Sequence, residues 1–166
     1  HVLNVNITDC EISIGKIEEK TKEIFVGGKG YDMWHMWNAV SGDTKWDDPE
    51  NPICIASGPM AGNPNYPGSG KSIVTTLSPL TGIPIDSNVG GYFGPYLKFS
   101  GFDALTLQGK SDKELLLYID GMDSRIQIFE VEGLSDDYYE NSQILTRHFA
   151  QGKPRSISVV STGAGA

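Results

Sequence analysis

The sequence predicts an α+β domain whose sheets are mainly antiparallel. Three observations carry that reading. β-branched and apolar residues recur with period two in short runs, those runs arrive in groups rather than alternating one by one with helices, and only two longer stretches show the three-and-four spacing of an amphipathic helix. The 166 residues suit one domain, 1–166. Twenty Gly and nine Pro promise many turns, while 39% hydrophobic residues, with three Trp, seven Tyr and six Phe, supply a core.

The elements follow in order. Val2, Leu3, Val5 and Ile7 are set against Asn4, Asn6 and Thr8, and Ile12 and Ile14 repeat the pattern, so 2–8 and 11–16 form a β-hairpin turning at Asp9-Cys10. After Gly27-Gly28-Lys29-Gly30, the spacing of Met33, Met36, Trp37 and Val40 predicts a helix over 31–40 with a buried Met and Trp face, and Gly42 just past its end. Residues 53–56 and 73–77 are short β-rich runs bracketing a Gly/Pro/Asn-rich loop, and a short helix is expected around 96–99. Residues 104–107, 114–119 and 125–131 read as a three-strand meander, 135–149 as a second long helix, and 157–160 as a last strand.

Charge and composition exclude several functions. Thirteen Lys+Arg against 21 Asp+Glu leave a net charge of −8, and the cations are scattered singly, so the long-range field repels a phosphate backbone. Nucleic acid is therefore not expected as a partner. No apolar run approaches the roughly 18 residues of a membrane span, so no membrane is expected either. Cys10 and Cys54 are too few for a disulfide framework and lack zinc spacing, which makes them reduced thiols of a cytoplasmic protein. The sequon Asn6-Ile7-Thr8 has no other sign of secretion beside it. The start at His1, without an initiator Met, reads as that of a cut or processed piece.

Three glycine-rich stretches could carry chemistry. Asn65-Tyr66-Pro67-Gly68-Ser69-Gly70-Lys71-Ser72 ends like a phosphate-binding loop, but it lacks the first Gly and is followed by Ile73-Val74-Thr75-Thr76-Leu77, a strand former where that loop needs a helix. What survives is a flexible loop whose N–H groups can approach an anion, with the charge of Lys71 beside it. Asn88-Val89-Gly90-Gly91-Tyr92-Phe93-Gly94 is either a tight turn or a surface on which a flat or phosphorylated cofactor lies, with the Asn88 amide oxygen able to meet a hard cation. Gly27-Gly28-Lys29-Gly30 stands before a helix, where its ordinary use is an entry turn. His35 and His148 have no ligand-spaced carboxylate or thiol, and Asp47-Asp48 and Asp136-Asp137 suit loops or helix starts.

Taken in order, Val26-Gly27-Gly28-Lys29-Gly30, Pro49-Glu50-Asn51, Ala56-Ser57-Gly58-Pro59-Met60-Ala61-Gly62, Ser78-Pro79-Leu80-Thr81-Gly82 and the long run Asn88-Val89-Gly90-Gly91-Tyr92-Phe93-Gly94-Pro95-Tyr96-Leu97-Lys98-Phe99-Ser100-Gly101-Phe102-Asp103-Ala104 carry a resemblance. The chain resembles the N-terminal domain of the tungsten-containing aldehyde ferredoxin oxidoreductases over nearly its whole length, ending in Ser161-Thr162-Gly163-Ala164-Gly165-Ala166. The resemblance implies a fold of two β-sheets related by a pseudo-twofold, serving as a base for a tungsten (or molybdenum) bis-pterin. It implies an enzyme that oxidises aldehydes to carboxylic acids and passes electrons through a 4Fe-4S cluster to ferredoxin. By the same resemblance, Asn88 matches an Asn near a magnesium bridging the pterin phosphates, Gly90 a pterin-contacting Gly, and Lys71 an Arg between pterin and cluster. Lys in place of Arg supplies charge without the planar fork. The cluster cysteines and acid/base residues of the family belong downstream of Ala166, so the remaining C-terminal domains, ferredoxin and a second copy of the chain are the implied partners, and the piece alone is expected to be inactive. The alternative is a stand-alone cofactor-binding or assembly module without redox activity.

Overall fold

Apolar residues of period two can bury only one face of a hairpin, and the structure shows where each face goes. A computed structural model describes residues 1–164; Gly165 and Ala166 of the terminal motif lie outside the described residues. The strands are β1 (Val2–Asn6), β2 (Glu11–Gly15), β3 (Ile53–Ser57), β4 (Ser72–Leu77), β5 (Pro84–Val89), β6 (Ala104–Gln108), β7 (Leu115–Asp120) and β8 (Arg125–Glu130). The helices are α1 (Glu19–Phe25), α2 (Lys29–Ala39), α3 (Phe93–Phe99) and α4 (Tyr138–Phe149). The architecture is α+β with two sheets, one of six strands in the order β2-β1-β6-β3-β4-β5 and one formed by β7 and β8. Every neighbour pair is antiparallel except β1 with β6, where Val2 faces Ala104 and Val5 faces Leu107 in parallel register.

Strand alternation sorts the six-stranded sheet into two cores. Leu3, Val5, Ile55 and Leu105 point to one side, where they pack with Leu97 of α3 and Phe102, and the β7–β8 hairpin lays Leu117, Ile119, Ile126 and Ile128 over them. Val2, Ala56 and Ala104 point to the other side, against Ile17 and Tyr31. Met36 of α2 closes the same side over Cys54 and Leu77. The result is three layers, helices α1 and α2, the large sheet, and α3 with the small hairpin.

Four sequence expectations change. β7 and β8 pair only with each other, so the meander is broken: β6 is claimed by β1 and β3, which take the hydrogen-bonding groups of both its edges. Residues 157–160 are not a strand; they follow a 3-10 turn at Pro154–Ser156, and no described strand lies beside them to complete a ladder. β5 was hidden because Pro84, Asp86, Ser87 and Asn88 are poor strand formers, and it is an edge strand held by β4 alone. α1 was hidden because its seven residues bury little beyond Thr21.

Two motifs set the spacing of the layers. Asn51 Nδ2 donates to the Trp46 carbonyl at 2.7 Å while its Oδ1 accepts from Leu77 N–H at 3.3 Å, tying the long loop to the end of β4. Ser78 Oγ accepts from the N–H groups of Leu80 and Thr81, and Gly82 closes that turn at φ +67. The helix α3 meets the sheet through Gly94, whose missing side chain leaves room for the hydroxyls of Ser57 and Ser72, themselves 3.2 Å apart. Gly94→Ala should therefore destabilise the protein by roughly 1–3 kcal/mol, since a Cβ there overlaps both serines. Gly42→Ala meets nothing within 4 Å and should be neutral by comparison, both measured by urea denaturation.

Candidate functional site

The site is built by the β4–β5 ladder. Ile73 faces Asn88 and Ser72 faces Val89, so the register continues to place Lys71 opposite Gly90. Residues two apart on a strand share a face. Lys71 and Ile73 on one strand therefore share a face with Asn88 and Gly90 on the other. A Cβ built on Gly90 would lie 3.6 Å from Lys71 Nζ, which puts the ammonium directly over that glycine. Lys71, Asn88 and Gly90, the three residues singled out from the sequence, are brought together; Lys71 and Asn88 are exposed.

Glycines keep the surroundings low and open. Gly91 adopts φ +102, and a Cβ there, or on Gly58 or Gly68, would meet nothing within 4 Å. The loop before β4 runs close to the one after β5, with 3.0 Å between a Cβ on Gly70 and the Gly91 carbonyl. The turn into α2 reaches the same region: Gly28 N–H donates to the Ser57 carbonyl, and a Cβ on Gly28 would lie 3.9 Å from both Gly58 N and Ile73 Cγ1. The eleven-residue helix α2 thus begins beside Ile73, the neighbour of Asn88, with the N–H groups of its first turn free of intrahelical partners. Two cations frame Asn88, Lys71 over Gly90 and Lys29 of α2, whose Nζ lies 2.5 Å from Asp86 Oδ1. An exposed amide, an unobstructed ammonium and a glycine floor fit a flat, phosphorylated group lying on the sheet end.

Asp32 is the residue that sequence reasoning missed. It sits in the first turn of α2 with no exposed surface, Thr75 Oγ1 donates to its Oδ2 at 3.0 Å, and its Oδ1 has no partner among the described residues. Burial pushes its pKa up to about 7, an effect the Thr75 hydrogen bond offsets only in part. The signal was available, because Asp32 falls one residue before Met33 on the face that Met36 buries, but an acid in a first helical turn reads as a solvated cap.

The remaining candidates take structural roles. β4 follows Lys71 as a strand, so the loop 65–72 is not a nucleotide-triphosphate loop. His35 stacks on Tyr31 with ring centroids 6.2 Å apart, and burial lowers its pKa, keeping the imidazole neutral. His148 packs edge-on against Phe149. Asp137 caps α4 by accepting from Tyr139 N–H at 2.7 Å, and Asp48 accepts from Lys45 N–H at 2.8 Å. Cys10 and Cys54 are free thiols, the first exposed and the second buried, and burial raises the Cys54 pKa. Among the described residues no group of three His, Cys, Asp or Glu could hold a metal ion, and no helix is long and apolar enough to cross a membrane.

A sheet end paved with glycine and carrying a lysine and an amide leaves an open, polar surface beside the start of α2. The chain belongs to the aldehyde ferredoxin oxidoreductase N-terminal domain family, whose model matches residues 2–166. Tungsten-containing aldehyde ferredoxin oxidoreductases of Pyrococcus abyssi and Pyrococcus furiosus are 36% and 34% identical to it over 71% and 76% of the chain. An aliphatic sulfonate oxidoreductase WOR-like subunit of Pyrococcus furiosus is 29% identical over 71% of the chain. The chain spans 19%, 20% and 19% of the lengths of these three relatives. Among solved structures, the active site complex BamBC of benzoyl coenzyme A reductase, in complex with 1,5-dienoyl-CoA, shares the fold with a TM-score of 0.85 and 28% identity, over 92% of this chain and 23% of that one.

The buried acid gives a pH dependence with a definite sign. Folding raises the Asp32 pKa from near 4 to about 7, so the folded state holds a proton that the unfolded state releases between those values. The contribution of Asp32 to stability should be fully present below pH 4 and lost as pH rises through 7, by an amount on the order of a few kcal/mol. In Asp32→Asn this part of the slope should vanish, as followed by urea denaturation at a series of pH values.

Proposed function

We propose that this chain is the base domain for a tungsten bis-pterin in an oxidoreductase that acts on aldehydes and passes electrons to ferredoxin. The observation that carries the reading is the placement of Lys71, Gly90 and Asn88 on one face of the β4–β5 ladder, at an end left open by glycines. Four relatives are tungsten-containing aldehyde ferredoxin oxidoreductases, which supports the choice of metal and reaction.

Each residue has a task set by its chemistry. Lys71 donates to an anionic or carbonyl oxygen above Gly90, and the absence of a Cβ at Gly90 lets the ligand approach the backbone. The Asn88 side-chain carbonyl would offer a hard oxygen to a magnesium ion bound with the cofactor. Free N–H groups in the first turn of α2 add favourable potential for a phosphate. The cofactor, when bound, supplies the two-electron redox chemistry. Lys71 contributes a point charge where a guanidinium would make a planar pair, so its contact is less directional.

The thiolates for a 4Fe-4S cluster must come from another part of the enzyme, because such a cluster needs about four and this chain has two cysteines, one buried in the core. The C-terminal domains of the longer enzyme would enclose the pterin, supply these ligands and form the substrate pocket; ferredoxin docks on the whole assembly, which works in the cytoplasm and pairs as a homodimer. The 166 residues alone are then not catalytic.

The reading is tested by metal analysis of the full-length enzyme purified from cells supplied with tungstate. Lys71→Met should lower bound tungsten about 10- to 100-fold, the worth of a charged hydrogen bond, and Lys71→Arg should retain it. Asn88→Ala should lower it with magnesium. Wild-type levels of tungsten and magnesium in both Lys71→Met and Asn88→Ala would sink the assignment.

A further inference from the structure

A second polar site lies beside the pterin face, on the same side of the sheet but lined by other side chains. Between α1, the turn into α2 and the α3–β6 connection the protein holds a partly enclosed cavity of about 190 Å³. Neither Lys71, Asn88 nor Gly90 lines it. Its walls include two hydroxyls on residues that are otherwise deeply buried, Thr21 at 6% and Tyr31 at 5% exposure. Among the described residues neither hydroxyl has a hydrogen-bond partner, and neither is sealed from solvent, so both are available to a bound group. Burial holds the Tyr31 hydroxyl protonated, with its pKa pushed up to about 12, so it remains a donor.

The charges select the ligand's sign. Lys22 and Lys98 both line the cavity, against one carboxylate, Asp103. That carboxylate is already engaged by Lys98, and although its partial burial alone would raise its pKa, the neighbouring cation holds it below the usual range. Lys22 reaches Glu19 at 2.8 Å, but Glu19 is on the solvent side of α1 and does not line the cavity. The excess is one positive charge. The rest of the wall is apolar, from Ile17, Ala56 and Pro59. At roughly 30 Å³ per water the space takes about six heavy atoms.

We propose that this cavity binds a small aliphatic monocarboxylate, its carboxylate held by Lys22, Lys98 and the hydroxyls of Thr21 and Tyr31 and its short chain laid against Ile17, Ala56 and Pro59. A phosphate dianion fits worse, because it brings no apolar body to this wall and a second negative charge toward Asp103. The inference stands independently of the pterin reading, since the two sites share no side chain and meet only at the backbone of Tyr31 in the first turn of α2.

The test is calorimetric titration of the protein with sodium butyrate, with 1-butanol as the neutral counterpart and inorganic phosphate as the competing anion. Butyrate should bind saturably, with a Kd in roughly the millimolar range expected of so small a ligand. Tyr31→Phe and Thr21→Val, which keep shape and remove one hydroxyl each, should weaken it roughly three- to tenfold apiece. Lys98→Met should weaken it further, and butanol should fail to saturate. Circular dichroism of each variant establishes that the fold is kept. Absence of saturable butyrate binding to the unsubstituted protein, unchanged affinity in both hydroxyl variants, or tighter binding of phosphate than of butyrate would overturn the proposal.

Discussion

The register of β4 against β5 is the constraint on which the site depends. A slip of one residue would turn Lys71 and Asn88 to opposite faces, because side chains alternate with period two. β5 is an edge strand of polar residues, the kind whose register is weakly specified by burial alone. The structure fixes it from outside the ladder. Asn51 holds the end of β4 at Leu77, Ser78 and Gly82 form the connecting turn, and Lys29 pulls Asp86 toward α2. Each of these lies in or beside a motif that looks unremarkable alone, and together they clamp two strands whose own residues would not choose this alignment.

The electrostatics of α2 follow from the same arrangement. The helix carries two charged groups into the sheet, and they meet different fates. Lys29 reaches the rim and is neutralised by Asp86, whereas Asp32 points inward and meets the Thr75 hydroxyl and the Ala56 backbone, with no cation, in a space without exposed surface. An unpaired buried carboxylate is costly, and the cheaper response is to keep its proton. The first turn of α2 is thereby less negative than its sequence suggests, which favours an anion at the helix start.

Much of this was legible in the sequence. The β-branched run at Ile73-Val74-Thr75-Thr76 announced β4, and with it the failure of a nucleotide loop at Lys71. The Met and Trp spacing announced α2 but misplaced its buried face, since Met36 is buried while Trp37 is 85% exposed and the inward side is carried by Tyr31, Asp32 and Met36; the ordered glycine motifs announced the family. β5 and α1 were not legible, because Pro84 to Val89 has strand geometry only by virtue of its partner and α1 has too few buried positions to show a period. The meander failed for a related reason: local sequence shows that three strands exist but not that β1 and β3 compete for the first of them. The cavity beneath Tyr31 and Thr21 had no local signature, since it arises only where α1, α2 and residues 98–103 converge.

β6 joins two otherwise separate groups of strands, β2-β1 and β3-β4-β5. During synthesis its residues leave the ribosome after both groups, almost a hundred positions behind the strand with which it pairs in parallel. Until then each group exposes one unpaired edge, Val2–Asn6 on one and Ile53–Ser57 on the other, and the hairpins can form but the sheet cannot close. Completion of the large sheet is thus a single late event, timed by translation, and any delay before residue 108 prolongs the interval in which two apolar edges stand open to other chains.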